Sequence, residues 1–124
     1  MSETEKKEDK AVTAPIDFAD AVIAASSVEG IRFWQAVRNV SSYPFVGCAD
    51  VGYDGKLQNV KDMFNQRTAS DAATVAKAVR RTLERNPSMS YWDALRETFN
   101  LAAVVAFNLD QTTFQPMDVK RLDS

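Results

Sequence analysis

The sequence predicts an all-α domain, a small bundle of four or five helices with a flexible arm at each end. Three observations support this fold class. Apolar residues recur at helical spacing in successive segments of the chain. Capping signals at Ser26 and Ser90, each followed three residues later by an acid, are typical of helix starts. A length of 124 residues is sufficient for one domain with a single core.

The N-terminal part divides into an arm and two helices. Residues 1–14 are charged, polar and free of aromatic side chains, which predicts a disordered arm ahead of a helical domain at residues 15–110. A first helix is expected to begin at Pro15. The capping signal at Ser26 predicts a second helix over residues 28–41.

Glycine, proline and cysteine concentrate in residues 41–55, which predicts a long loop with a turn at Asp54. The segment 50–57 resembles the start of an EF-hand calcium loop. However, Lys61 occupies the position of the bidentate glutamate, so we expect no calcium site. A short third helix is expected over residues 57–64, because its apolar residues are three or four positions apart.

Residues 72–85 concentrate four cations in a chain that is otherwise acidic. At about 100° per residue the cations fall on one face of a helix, with apolar residues on the other. This cationic strip consists of Lys77, Arg80, Arg81 and Arg85. Three interpretations stay open for the strip: a solvated face neutralised by nearby acids, a contact to phosphate groups, and a contact to an acidic protein surface.

The last helix is expected to begin after Ser90 and to continue into the apolar run LAAVVAF. A helix that is apolar on all sides is either central in a core or covered by another subunit. The candidate self-association residues in this run are Leu101, Val104, Val105 and Phe107. Residues 111–124 are expected to form a loosely packed C-terminal tail.

The residue types limit the chemistry that the chain can perform. The absence of histidine excludes Ser-His-Asp and Cys-His catalysis and removes the commonest transition-metal ligand. Cys48 is the only cysteine, so neither an internal disulfide nor an activated thiol is predicted. We therefore expect no enzyme, no cofactor and no metal site, and no small-molecule substrate is evident. We find no internal repeat in the sequence.

The overall charge and hydropathy limit the location and the partners. The formal net charge of −2 is not that of a nucleic-acid-binding polycation, so any phosphate contact must come from a local patch. The sequence has no apolar signal-peptide core and no apolar run that could span a bilayer. We therefore expect no membrane partner and a cytoplasmic location, which would be the host cytoplasm for a viral protein.

These observations favour a non-catalytic helical interaction or assembly protein that self-associates as a homo-oligomer. The alternative is a nucleic-acid-binding structural protein of nucleoprotein or coat type, whose arginine-rich helix contacts phosphates without base specificity. A further alternative is a small regulator or inhibitor that docks on one protein target. Sequence-specific DNA reading by a helix-turn-helix is disfavoured, because the helix after Ser90 carries acids on its surface.

Overall fold

A computed structural model describes residues 9–124 and shows a mixed α/β domain. The helices in this part of the chain are α1 (Lys10–Thr13), α2 (Pro15–Ala25), α3 (Phe33–Val40), α4 (Ala72–Arg85) and α5 (Tyr91–Phe99). The strands are β1 (Phe45–Val51), β2 (Leu57–Asp62), β3 (Ala103–Leu109) and β4 (Pro116–Arg121). They form one antiparallel sheet in the order β2-β1-β3-β4. The prediction of an all-α helical bundle is therefore wrong.

Two predicted helical segments are strands, for different physical reasons. Residues 103–107 of β3 are all buried, because β3 is central and both faces of the sheet are covered there. A strand buried on both faces is a continuous apolar run, which periodicity cannot distinguish from a buried helix. In β2, Asn59 has a φ of 53° and the pairing with β1 shifts by one residue. Because of this shift, Leu57 and Val60 lie on the same face of the sheet although they are three residues apart, and a spacing of three residues is also typical of a helix.

Part of each expected arm belongs to the fold. Residues 1–8 of the N-terminal arm lie outside the described residues, but α1 follows directly and buries Ala11. The carboxylate of Asp9 caps α1 and accepts a hydrogen bond from the indole of Trp92 at 3.0 Å. In the expected C-terminal tail, β4 pairs with β3, and the buried Asp123 accepts a backbone hydrogen bond from β3 at 2.9 Å.

Several local predictions are confirmed. The first helix of the predicted domain begins at Pro15, α4 has the expected bounds, and α5 begins with the capping box at Ser90. The turn at Asp54 connects β1 to β2 in a hairpin. The long loop predicted over residues 41–55 is wrong in its middle, where β1 (Phe45–Val51) pairs with β2 and β3. The second helix starts later than predicted: α3 begins only at Phe33, since Gly30 has a φ of +84°, which a helix cannot contain.

The helices cover one face of the sheet. Helices α3 and α5 contact β1 and β3, whereas α2 and α4 pack on α3, on α5 and on each other. The main core surrounds Trp34 and Trp92, each at most 1% exposed. A smaller core lies on the other face, where the curl of the sheet buries Val105 and Phe107. Gly47 permits this curl, because a Cβ there would lie 1.9 Å from a backbone oxygen of β2.

The two hairpins have the same irregularity in strand pairing at equivalent positions. The β1–β2 pairing shifts after Cys48, and the β3–β4 pairing shifts after Ala106, 58 residues later. A left-handed residue accompanies each shift, Asn59 with φ 53° and Asp118 with φ 55°. Beside each register shift, an asparagine donates a hydrogen bond to an aspartate on the other strand of the hairpin, at 2.9 Å in the first hairpin and 3.4 Å in the second.

The helices repeat as well. Trp34 of α3 and Trp92 of α5 occupy equivalent positions in the sequences FWQAVR and YWDALR. At the start of each helix, the side chain three residues after the N-cap, Gln35 or Asp93, accepts a hydrogen bond from the N-cap backbone. The buried motifs FADAV of α2 and VAKAV of α4 correspond in the same way. Since β1 and β3 pair antiparallel with Gly47 opposite Val105, a pseudo-two-fold axis passes between them. The chain therefore consists of two copies of an α-α-β-β unit, and our statement that the sequence has no repeat is wrong.

Candidate interaction surface

Helix α4 forms because both of its ends are capped and one side is apolar. The carboxylate of Asp71 accepts a hydrogen bond from the backbone of Thr74 at 2.8 Å, and this contact lowers the pKa of Asp71. The backbone N–H of Asn86 donates back to the last turn. The buried side consists of Ala72, Val75, Ala76, Val79, Thr82 and Leu83. The cationic strip therefore lies on the side of α4 that faces solvent.

Arg80 differs from the other cations of the strip, because it is held by acids of the same chain. Its side chain is 30% exposed, and Nε donates to Asp20 of α2 at 2.7 Å. It also forms an ion pair with Glu84, one turn further along α4. The hydrogen bond to Asp20 raises the pKa of Arg80 and exceeds the opposing effect of desolvation. The solvated-face interpretation therefore accounts for Arg80.

The other three cations form an exposed row along α4, which we call the basic row. It consists of Lys77, Arg81 and Arg85. Their spacing of four residues extends the row over about 12 Å. In the described part of the chain, no carboxylate oxygen lies within 4 Å of their charged nitrogens. Like charges four residues apart disfavour a helix slightly, so helix stability does not explain Lys77 and Arg81. Arg85 lies in the last turn of α4, where a cation is favourable.

Beside the basic row, α2 presents an acidic row that our sequence analysis did not identify. It consists of Asp17 and Asp20, both exposed. The contact between Asp20 and Arg80 shows that the acidic row lies next to α4, although 60 residues separate the two side chains in sequence. The outer helix pair thus carries negative charge on α2 and a net positive charge on α4, where Glu84 is the one acid between Ala72 and Arg85.

The first repeat provides an internal comparison for the basic row. When FADAV of α2 is aligned with VAKAV of α4, Lys77 and Arg81 are equivalent to Asp20 and Ala24. Helix α2 ends at Ala25 and has no helical position equivalent to Arg85. Neither Asp20 nor Ala24 is a cation, although α2 has the same place in the fold as α4. The fold therefore does not require positive charge at these positions.

The candidate self-association residues lie inside a single chain. Val104 is fully buried in the main core, and Val105 and Phe107 are fully or almost fully buried in the smaller core. Leu101 is half-buried and packs on the main core. Their apolar character is explained by the central strand, which removes the reason for assigning them to a contact between copies.

Cys48 and Asp9 are two reactive groups whose surroundings the structure describes. Burial raises the pKa of the Cys48 thiol, and Asp50 adds to this effect, while Lys61 opposes it. Asp9 borders an open depression beside α1, but its carboxylate already accepts hydrogen bonds from Trp92 and Tyr43. Residues 9–124 contain no group of three or more cysteine, aspartate or glutamate side chains that could hold a metal ion.

The comparisons with protein-family models, curated proteins and solved structures find no match to this chain. In the described residues, no helix has the length and hydropathy needed to cross a membrane. The interpretation of the surface therefore depends on the geometry of the chain itself.

Proposed function

We propose that the protein is a non-catalytic interaction protein that docks to an acidic partner surface through the basic row of α4. The observation that carries this proposal is the difference between the two repeats. Helix α2 fills the same structural position without a cation at the equivalents of Lys77 and Arg81, which supports a role for the basic row other than folding. Arginine and lysine in an exposed row are suited to binding carboxylate or phosphate groups.

The proposal replaces the argument for self-association that rested on the apolar run of β3. It keeps the absence of catalysis from the interpretation that the sequence favoured, and it takes the use of α4 from the alternatives. The absence of histidine and the raised pKa of Cys48 support a role without nucleophilic chemistry. A regulator that docks on one protein target would use the same surface.

A nucleic-acid backbone is the second candidate partner, because the basic row has no carboxylate within ion-pair distance in the described residues. Its position next to the acidic row weighs against this candidate. A duplex extends beyond one helix, so its phosphates would approach Asp17 and Asp20 as well. A partner with a small acidic surface avoids this repulsion.

The test is to give α4 uncharged residues at the basic row: Lys77→Ala, Arg81→Ala and Arg85→Ala. The matched control removes three exposed cations elsewhere: Lys10→Ala, Lys56→Ala and Arg67→Ala. Both variants should keep the fold, because exposed substitutions away from special contacts change stability by about 0.5 kcal/mol or less.

Three probes are offered to each protein at low and high salt: a second copy of the chain, a polyglutamate peptide and RNA. We expect the unmodified protein to bind the second copy or polyglutamate in a salt-sensitive manner. The basic-row variant should lose that binding, and the control variant should keep it. Binding to neither of these probes, binding to RNA alone, or equal binding by the basic-row variant would contradict the proposal.

A further inference from the structure

We propose that the acidic surface recognised by the basic row is the acidic row on α2 of a second copy of this chain. This inference rests on the proposed function and names its partner. Two copies would meet through their outer helices, α4 of each against α2 of the other. The assembly would be a dimer with a two-fold axis, in which both contacts are identical.

The charge pattern of the outer helix pair supports a second copy as the partner. Each chain carries both halves of a complementary contact, with Asp17 and Asp20 on α2 and the basic row on α4. Asp20 pairs with Arg80 of its own chain but keeps 54% of its side chain exposed for a second cation. The two helices pack side by side, as the ion pair between Asp20 and Arg80 shows. A surface with adjacent rows of opposite charge is complementary to itself after a rotation.

Electrostatics also selects the direction of the two-fold axis. An axis between the copies that runs along the helices places α4 of one chain over α2 of the other, so opposite charges face each other. An axis that runs across the helices places α4 over α4 and brings the two basic rows together. Like-charge contacts suppress an arrangement, so the first axis is favoured.

The side chains between the charges permit the helices to approach closely. Ala21 and Ala24 of α2 are exposed, and Ala73 and Ala78 of α4 are half-exposed. Packed helices have axes about 8–10 Å apart, and small residues at the contact allow the shorter of these distances. The acidic and basic side chains could then reach each other across the contact while these alanines lose their contact with water.

The size of the outer helix pair predicts a weak dimer. Two adjacent helices of this length present a footprint of about 20 Å by 20 Å, or roughly 800 Å² over both copies. Contacts of this size are typical of transient associations, and charged contacts of this kind weaken as salt screens them. The dimer is therefore expected at high protein concentration and low ionic strength.

The edges of the sheet do not offer a competing contact between copies. The outer strands β2 and β4 are each kinked by a left-handed residue, Asn59 and Asp118. They also carry Lys61, Lys120 and Pro116, which are residue types that protect edge strands from pairing with another chain. Association through the helices is the arrangement that the surface favours.

A charge-exchange experiment tests the pairing of α4 with α2. One variant reverses the basic row (Lys77→Glu and Arg81→Glu), and the other reverses the acidic row (Asp17→Lys and Asp20→Lys). Each variant alone would bring like charges together in both contacts of its dimer and should stay monomeric. An equimolar mixture of the two restores opposite charges in both contacts and should recover the dimer mass.

Circular dichroism checks that both variants keep the native fold. If Asp20→Lys disturbs Arg80, the single reversals Asp17→Lys and Arg81→Glu repeat the experiment with residues that form no ion pair in the described part of the chain. A mixture that stays monomeric while the unmodified protein dimerises would overturn the pairing. A chain that is monomeric at every concentration would overturn the inference, while the binding of polyglutamate decides the proposed function separately.

Discussion

The substitution Gly47→Ala should destabilise the protein strongly, because it adds an atom where two strands approach too closely for a side chain. A Cβ at this position would lie 1.9 Å from the carbonyl oxygen of Lys61 and 3.3 Å from the ring of Phe107. Cβ contacts under 3.0 Å are essentially never observed, so β2 would have to move by about 1 Å. The obstacle is backbone, which cannot rotate away as a side chain can.

The cost follows from the size of this displacement. Overpacking a well-packed site costs typically about 1–3 kcal/mol, and a backbone obstacle in a central strand places Gly47→Ala near the upper end. For a chain of this length, 1 kcal/mol corresponds to about 4 °C in Tm, so we expect Tm to fall by about 12 °C.

Gly52→Ala is the matched control on the same hairpin. The atom nearest to its added Cβ belongs to the flexible side chain of Gln58, at 2.4 Å, and this side chain can swing away. Gly52→Ala should therefore leave Tm within about 4 °C of the unmodified protein. Thermal unfolding followed by circular dichroism measures both variants. Equal melting temperatures for the two variants would refute the close approach at Gly47.

Three further predictions concern the core, the N-terminal cap and the acid stability. Val105→Asp should abolish the native circular dichroism spectrum, because it buries a charge in the sheet. A variant that stays folded and changes only its oligomeric mass would contradict the position of Val105 in the core. Asp9→Ala leaves the indole N–H of the buried Trp92 without its acceptor and should cost about 1–3 kcal/mol in urea denaturation, whereas an unchanged midpoint would exclude this role. Burial raises the pKa of Asp93, but hydrogen bonds from Ser124 and from the N-cap serine of α5 outweigh it and leave the pKa below its ordinary value. This stabilisation is present above the unfolded pKa of about 3.9 and disappears as the pH falls through the lower folded pKa. The urea midpoint of the unmodified protein should therefore fall steeply between about pH 5 and about pH 2. The urea midpoint of Asp93→Asn should fall less steeply over the same range.

The sequence was sufficient to predict α4 because its two sides differ in polarity along the whole helix. It was not sufficient for β3, since a central strand has no polar side and therefore no period to detect. In β2 the left-handed Asn59 reverses the alternation halfway along the strand and produces helical spacing from a strand. The fold class was therefore wrong in the segments where burial or a kink removes the strand pattern.

The candidate site was predicted in part for a similar reason. The cations of α4 are close in sequence, so their common face follows from helical geometry alone. The acidic row on α2 and the ion pair of Asp20 with Arg80 depend on packing between distant segments. The repeat, in contrast, could have been detected from FWQAVR and YWDALR, and it would have separated the positions needed by the fold from the basic row.

The molar mass of the unmodified protein as a function of concentration and salt tests the central claim most directly. Sedimentation equilibrium would cover about 10 to 500 µM protein at about 20 mM and 500 mM salt, a range over which electrostatic screening changes strongly. The account predicts that the mass rises from that of one chain toward that of two at low salt and remains that of one chain at high salt. A mass of one chain under all conditions, or a dimer that is equally stable in both salts, would contradict docking through the basic and acidic rows.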